Sequence, residues 1–152
     1  MIDAVTSDFQ TLHHVCVVVS DMDQAVAYYE SLGIGPWHPF PSLEAFRPDL
    51  QTPDVDDFMK LEYRYAELGN VQLQLCCPPE GNTLQRQFLD EHGEGVFHLG
   101  FSVPDVDQAE ARITAAGPSP KLRGRLPSGA GFTYFDTDTA GAGVTLQVRA
   151  AR

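Results

Sequence analysis

Apolar and polar residues alternate with a period of two along several short stretches of this chain, and helical spacing follows two of them. Leu12 to Val19 is short and rich in β-branched residues and reads as a strand. Ser20 or Asp21 caps a following helix in which Met22, Ala25, Val26, Tyr29 and Leu32 recur at helical intervals, and Gly33 ends it. Gly35 to Phe40 is predicted as a second strand. Pro41 to Asp57 carries three prolines and several acids and is predicted as a long loop, of the kind that acts as a lid or binding loop. Leu61 to Glu67 and Val71 to Cys77 read as strands joined by a tight turn at Gly69-Asn70. The order so far is β-α-β-β-β.

Asn82 to His92 is predicted as a connecting helix, capped by Asn82 and closed by Gly93. The first order then repeats. A strand runs from Val96 to Val103, and a helix from Asp105 to Ala116 is ended by Gly117. A weak strand lies near Leu122, and a hairpin joins Gly131–Asp136 to Val144–Arg149. The repeat is visible residue by residue at a constant offset of 84: His14, Val19, Asp21, Asp23, Gln24 and Ala25 recur as His98, Val103, Asp105, Asp107, Gln108 and Ala109. Val71-Gln72-Leu73-Gln74-Leu75 is echoed by Val144-Thr145-Leu146-Gln147-Val148. The expected fold class is α+β, with two βαβββ modules forming curved mixed sheets around a cleft. One domain is expected over residues 10–152, its modules spanning about 10–78 and 95–150 and joined by the helix near 82–92.

Strand parity sorts the side chains onto two faces. His14, Cys16 and Val18 share one face of the first strand, opposite His13, Val15, Val17 and Val19. His98, Gly100 and Ser102 oppose Phe97, Leu99, Phe101 and Val103. Gln72, Gln74 and Cys76 oppose Val71, Leu73 and Leu75, and Thr145, Gln147 and Arg149 oppose Val144, Leu146 and Val148. One face is large and apolar and is expected to pack on the helices. The other is small or polar and is expected to line the cleft, with His14, Gln74, His98 and Gln147 pointing into it. His13 falls on the apolar face or at the strand's start and reads as structural. A solvated antiparallel sheet shows the same alternation, but it ordinarily carries Lys, Glu and Thr where this face carries His, Gln, Cys, Gly and Ser.

The net charge of −11 excludes nucleic acid as a partner and disfavours an anionic membrane surface. No apolar run is long enough to cross a bilayer, and Met1-Ile2-Asp3-Ala4 does not read as the start of a signal peptide, so a cytoplasmic protein is expected. Cys16, Cys76 and Cys77 are odd in number, two of them adjacent, and read as buried free thiols. Trp37, Phe40, Tyr63, Tyr65, Phe132 and Tyr134 would form an aromatic wall if their strands curve, although each alone reads as core.

Several segments resemble the vicinal-oxygen-chelate superfamily, which includes glyoxalase I, bleomycin-resistance proteins and extradiol dioxygenases, and are most similar to methylmalonyl-CoA epimerases. They are His13-His14-Val15, Ala25-Val26-Ala27-Tyr28-Tyr29, Leu68-Gly69-Asn70, the run from Phe88 through His92-Gly93-Glu94-Gly95 to His98, and Gly143-Val144-Thr145-Leu146-Gln147-Val148. The resemblance implies a divalent metal held by four inward side chains, which by position are His14, Gln74, His98 and Gln147. Gln147 departs from the family pattern, which has Glu there. The family's carboxylate on the third strand is not evident either. Gln74 pairs across the Gly69-Asn70 hairpin with Tyr65 or Tyr63, Glu62 falls on the opposite face, and Glu67 sits near the turn. A dication on two imidazoles and two amides would keep its full charge, and a carboxamide is no general base. The base would then be His14, His98, Tyr65 or Glu67. An extradiol dioxygenase is excluded, because its iron needs two His and a carboxylate.

The resemblance implies an epimerase- or isomerase-like enzyme acting by proton transfer next to a carbonyl of an acyl-CoA or related molecule. It also implies a homodimer and no organic cofactor. Lys121, Arg123 and Arg125 would hold the phosphates of coenzyme A, unless they are a solvated strand. Arg149 would meet a substrate carboxylate, unless it is a frayed end. Tyr63, Trp37 and Tyr134 would contact the substrate. Two other functions stay open: a metal-free protein that sequesters an aromatic metabolite, and a metal-free isomerase or cyclase using Tyr and His.

Overall fold

A computed structural model describes residues 6–151. The reading of Met1-Ile2-Asp3-Ala4 and the predicted domain end at Arg152 lie outside the described residues. Strand β1 (Leu12–Val18) leads into helix α1 (Met22–Ser31), and strands β2 (His38–Pro39) and β3 (Leu50–Gln51) flank a 3-10 helix over Glu44–Asp49. Helix α2 (Val55–Met59) precedes β4 (Glu62–Glu67), β5 (Gln72–Cys77) and α3 (Leu84–His92). The second module is β6 (Gly95–Ser102), α4 (Val106–Ala115), β7 (Pro120–Arg125), β8 (Gly131–Phe135) and β9 (Thr145–Ala150).

The repeat is written into the helix caps. Asp21 accepts from the Gln24 amide at 3.0 Å to start α1, and Asp105 accepts from the Gln108 amide at 3.0 Å to start α4. The cap of α3 differs from expectation. Thr83, not Asn82, accepts from the Arg86 amide, while the Asn82 amide is spent on Asp57. The predicted strand over Gly35–Phe40 shrinks to His38–Pro39, because Pro36 and Pro39 donate no ladder hydrogen bond. The predicted loop Pro41–Asp57 is not a plain loop. It holds the 3-10 helix, β3 and the start of α2, whose cap Asp54 accepts from the Asp57 amide.

All nine strands form one sheet in the order β2-β4-β5-β1-β6-β9-β8-β7-β3. β1 is parallel to β5, β6 is parallel to β9, and the modules meet where β1 pairs antiparallel with β6. β2 and β3 stand at opposite ends of this order although only Phe40–Asp49 separates them. A flat sheet of this size is roughly 38 Å across at ~4.8 Å per strand. Most of the connection is a 3-10 helix, which rises only about 2 Å per residue. The sheet therefore curls, and Phe40–Asp49 straps its two ends together. The contacts agree: Phe40 stacks on Tyr63 at 5.0 Å on one arm, and Phe46 meets Phe132 edge-on at 5.1 Å on the other.

The outer face of the curl carries the helices. Val19, Met22 and Leu75 pack with Ala25, Val26 and Tyr29 of α1, and Phe135, Val148 and Ala150 pack with Val106, Ala109 and Ile113 of α4. Between α4 and the sheet lies a charged network. Glu110 accepts from Arg123 (2.8 Å), Arg125 (2.6 Å) and Thr133 (2.5 Å), and Asp107 accepts from Arg125 at 2.8 Å. The inner face is only partly a cleft. Its deeper part is core, where Cys16, Val18, Tyr63, Cys76, Phe97, Leu122 and Tyr134 are buried together with Phe58 of α2.

Two irregularities in the β1–β6 ladder overturn parity. Leu12 faces Phe101 and His14 faces Gly100, so His13 is an extra residue; Cys16 faces His98 and Val17 faces Val96, so Phe97 is another. A bulge of this kind re-aims its side chain. Phe97, expected on the helix-facing side, joins the inner core against Phe88 and Tyr134.

Candidate functional site

Four strands aim a polar side chain at one spot on the inner face. β1 contributes His14, β5 Gln74, β6 His98 and β9 Gln147, and each of the four is at least 95 % buried. Gly100 makes the space. A Cβ there would stand 2.0 Å from His14 Cε1 and 2.6 Å from Gln147 Oε1. The hairpin register pairs Gln74 with Tyr65 and places Tyr63 opposite Cys76, which resolves the alternative left by the sequence.

The histidines form a series. His13 Nδ1 lies 2.8 Å from His14 Nδ1, and His14 Nε2 lies 2.9 Å from His98 Nε2. The rings of His14 and His98 meet edge-on at 5.0 Å. A neutral imidazole has one donor and one acceptor, so both contacts must run in the same direction and the three tautomers are linked. His98 Nδ1, at the buried end, has no hydrogen-bond partner. At the other end His13 lines a cavity, contrary to its reading as structural; the bulge turns its ring to the side of His14.

Burial, the neighbouring His98 and His13, and Arg149 push the His14 pKa down to about 2. Burial alone takes His98 down to about 3. Burial and Arg149 also lower His13, against the opposing charge of Glu67. All three rings are therefore neutral bases near pH 7. Protonation then favours the unfolded chain between about pH 3 and 6.5, and the stabilising contribution is complete only above 6.5. Urea midpoints measured against pH should fall as pH drops through this window, by up to about 1.4 kcal/mol per pH unit for each buried ring. A His14→Gln, His98→Gln double variant should lose that slope. A wild-type curve flat from pH 6.5 to 5 would refute this.

The residues fit a cation held by neutral ligands. Two cis ligands each about 2.1 Å from one ion stand about 3 Å apart, and the two Nε2 atoms are 2.9 Å apart. Gln147 Oε1 is buried with no hydrogen-bond partner, and Gln74 spends its Nε2 on Gln72, leaving its oxygen free to coordinate. Among the described residues no group of three or more His, Cys, Asp or Glu converges, so the donor set is uncharged. Such a set suits a borderline ion that accepts imidazole better than magnesium or calcium.

The cavity of about 390 Å³ opens from this spot. His13, His14, Gln72, Gln74 and Gln147 form a polar floor, with Arg149 at its edge. Phe40, Leu43, Phe46, Phe58 and Phe132 form an apolar wall. No Asp or Glu is among the lining residues. Tyr63 and Tyr134 line its base, and burial raises both hydroxyls well above the usual range, so they keep their protons and act as donors. Tyr65 lines the side wall. Glu67 stays exposed and reaches the site only indirectly, accepting from Gln72 (2.8 Å), which accepts from Gln74 (2.7 Å).

Three expected substrate contacts are elsewhere. Trp37 packs on the outer face with Tyr29 and gives its indole N–H to the Ile34 carbonyl. Lys121 pairs with Asp138, and Arg123 with Glu110. Their charge is already met by these carboxylates. Parity missed His13, because a bulge leaves no mark in composition. It also missed Leu43, Phe46 and Phe58, because they come from the segment read as loop or from α2.

The sequence pattern of the Glyoxalase/Bleomycin resistance protein/Dioxygenase superfamily matches residues 13–134. No curated protein matches the chain. Among solved structures, methylmalonyl-CoA epimerase from Mycobacterium tuberculosis is similar, with a TM-score of 0.72 at 22% identity over 100% of this chain and 93% of that one. A Streptomyces coelicolor methylmalonyl-CoA epimerase variant in complex with 2-nitronate-propionyl-CoA gives 0.70 at 21% identity, covering 93% and 96%. A hypothetical protein from Bacillus halodurans C-125 gives 0.67 at 16% identity, covering 93% and 94%. At these identities the likeness is one of fold. The fold, the repeat and the match over most of the chain make this protein a member of the glyoxalase/bleomycin resistance/dioxygenase superfamily.

Proposed function

We propose that this protein is an isomerase or epimerase that moves a proton next to the carbonyl group of an acyl thioester or related small molecule. The observation that carries this reading is the series of neutral imidazoles, His13, His14 and His98, ending in a cavity that no Asp or Glu lines among the described residues. His13 is the ring that meets the cavity and takes the proton, and His14 and His98 adjust their tautomers behind it. Tyr65 and the protonated Tyr63 and Tyr134 supply hydrogen bonds to developing negative charge. The strap and its phenylalanines keep water from the reacting carbon. With a cation on His14, Gln74, His98 and Gln147, which would polarise the carbonyl oxygen as a Lewis acid, both Nε2 atoms would be occupied and His14 would donate through Nδ1 to His13, so the tautomer relay belongs to the cation-free protein.

The test is deuterium incorporation from D2O next to the carbonyl in a panel of acyl thioesters and 2-oxo acids, read by NMR, with the protein chelator-treated or given zinc or cobalt. Exchange is expected, and His13→Gln should slow it roughly 10²–10⁴-fold. Binding of panel members with no exchange in any of them would overturn the proposal. That outcome would favour the second reading, metal-free sequestration of an aromatic metabolite. The apolar wall of Phe40, Phe46, Phe58 and Phe132 supports it. Cytoplasmic location and homodimeric assembly remain part of the proposal. Among the described residues no helix is long and apolar enough to cross a membrane.

A further inference from the structure

We infer that the substrate is a small free carboxylate with an aromatic or similarly bulky apolar body, anchored through its carboxylate by Arg149, and not a coenzyme A thioester. This narrows the proton-transfer reading and rests on it for the reaction, but not for the binding.

Arg149 is singular. The other arginines among the described residues, Arg47, Arg64, Arg86, Arg112, Arg123 and Arg125, each pair with at least one carboxylate. Arg149 pairs with none among the described residues, in a chain of net charge −11 where acids are plentiful. It is partly buried and lines the cavity. Removing a guanidinium from water costs free energy unless an anion meets it. Among the described residues no Asp or Glu lines the cavity. With no carboxylate among the described residues facing it, Arg149 is placed to receive an anion carried by the ligand. A carboxylate suits the guanidinium fork in a two-bond geometry.

The rest of the ligand is set by what faces Arg149. Phe132 is its direct cross-strand partner, and Phe46 and Phe58 pack against Phe132. A flat apolar body fits between these rings and the strap, with its carbonyl over the His13–His14 floor. Among the described residues little is left for coenzyme A. Its phosphates would need further free cations, and Lys121, Arg123 and Arg125 are engaged with Asp138, Glu110 and Asp107. Arg149 is the lone Lys or Arg among the described lining residues.

Calorimetric titration with phenylacetate, phenylacetamide and butyryl-CoA tests this. The acid and the amide share a shape and differ in charge. Phenylacetate should bind about tenfold or more tighter than phenylacetamide. Arg149→Met should bring that ratio near one with little change for the amide, and Arg149→Lys should restore part of it. Equal binding of acid and amide to the wild type would overturn the inference. So would butyryl-CoA binding tighter than phenylacetate and unaffected by Arg149→Met. Deuterium exchange into phenylpyruvate is read separately. Tight binding without exchange sinks the proton-transfer reading and supports the anion subsite. Exchange that is indifferent to Arg149→Met sinks the subsite alone.

Discussion

Adding one methyl group at Gly100 is expected to disable the site and leave the fold standing. Gly100 lies in β6 with ordinary strand backbone, so an alanine meets no conformational penalty. The obstacle is space. Its Cβ would be 2.0 Å from His14 Cε1, 2.3 Å from His14 Nε2 and 2.6 Å from Gln147 Oε1. His14 cannot retreat easily, because His13 and His98 hold both of its nitrogens. The ring must leave the series or the strands must part. Overpacking of this kind costs about 1–3 kcal/mol, a melting-point loss of a few degrees at this chain length. The catalytic loss should be far larger, roughly 10²-fold or more in deuterium exchange, because the tautomer link through His14 is broken. Imidazole NMR should show the His14–His98 coupling gone. Val96→Ala, on the same strand but exposed, should change neither readout. Gly100→Ala with wild-type exchange and unshifted ring signals would refute the role given to the histidine series.

Where strands run without bulges, alternation places residues correctly. Gln72, Gln74 and Cys76 share the inner face as their spacing predicts, and so do Thr145, Gln147 and Arg149. The repeat announced two like modules, and the structure joins them where β1 pairs antiparallel with β6. Parity failed by one residue at His13 and at Phe97, where an extra residue is accommodated between regular ladder pairs. No residue type signals such a bulge on a strand of Val, His and Phe. The strap failed for another reason. Prolines and acids made Pro41–Asp57 look featureless, yet its Leu43 and Phe46, with Phe40 just before it, close the curl and wall the cavity. Those apolar residues have no period, so only the tertiary path gives them a partner.

The partners of the basic cluster are not legible in the sequence, because a charge's partner is a tertiary fact. Asp107 and Glu110 are three residues apart on α4 and so share one side of the helix, but nothing in the sequence says that this side covers Arg123 and Arg125. Given that it does, Glu110→Ala should be among the most destabilising substitutions in the molecule. It would strip Arg125, whose side chain is 6 % exposed, of its shorter ion pair, and Arg123 of its only one under 3 Å. Thr133 would lose its acceptor as well. Breaking a buried pair by removing one partner costs about 3–5 kcal/mol. Asp107 remains to Arg125, which puts the expected loss near the lower end, a melting-point drop of roughly 6–12 °C. Replacing both members, as in Glu110→Leu with Arg125→Met, should recover part of the loss, because no charge is then left alone. The pH dependence separates charge from packing. Burial raises the Glu110 carboxyl, but the hydrogen bonds from Arg123 and Thr133 and the two guanidinium charges outweigh it and hold it below its ordinary 4.5. A depressed carboxyl contributes stability that is present above its unfolded value and is lost as pH falls through the folded one. The gap between wild type and Glu110→Ala in urea midpoint should therefore be full at pH 7 and narrow below about 4.5. A gap that is constant down to pH 3 would assign the loss to packing, and a gap under about 0.5 kcal/mol at pH 7 would remove the network from the account of this fold.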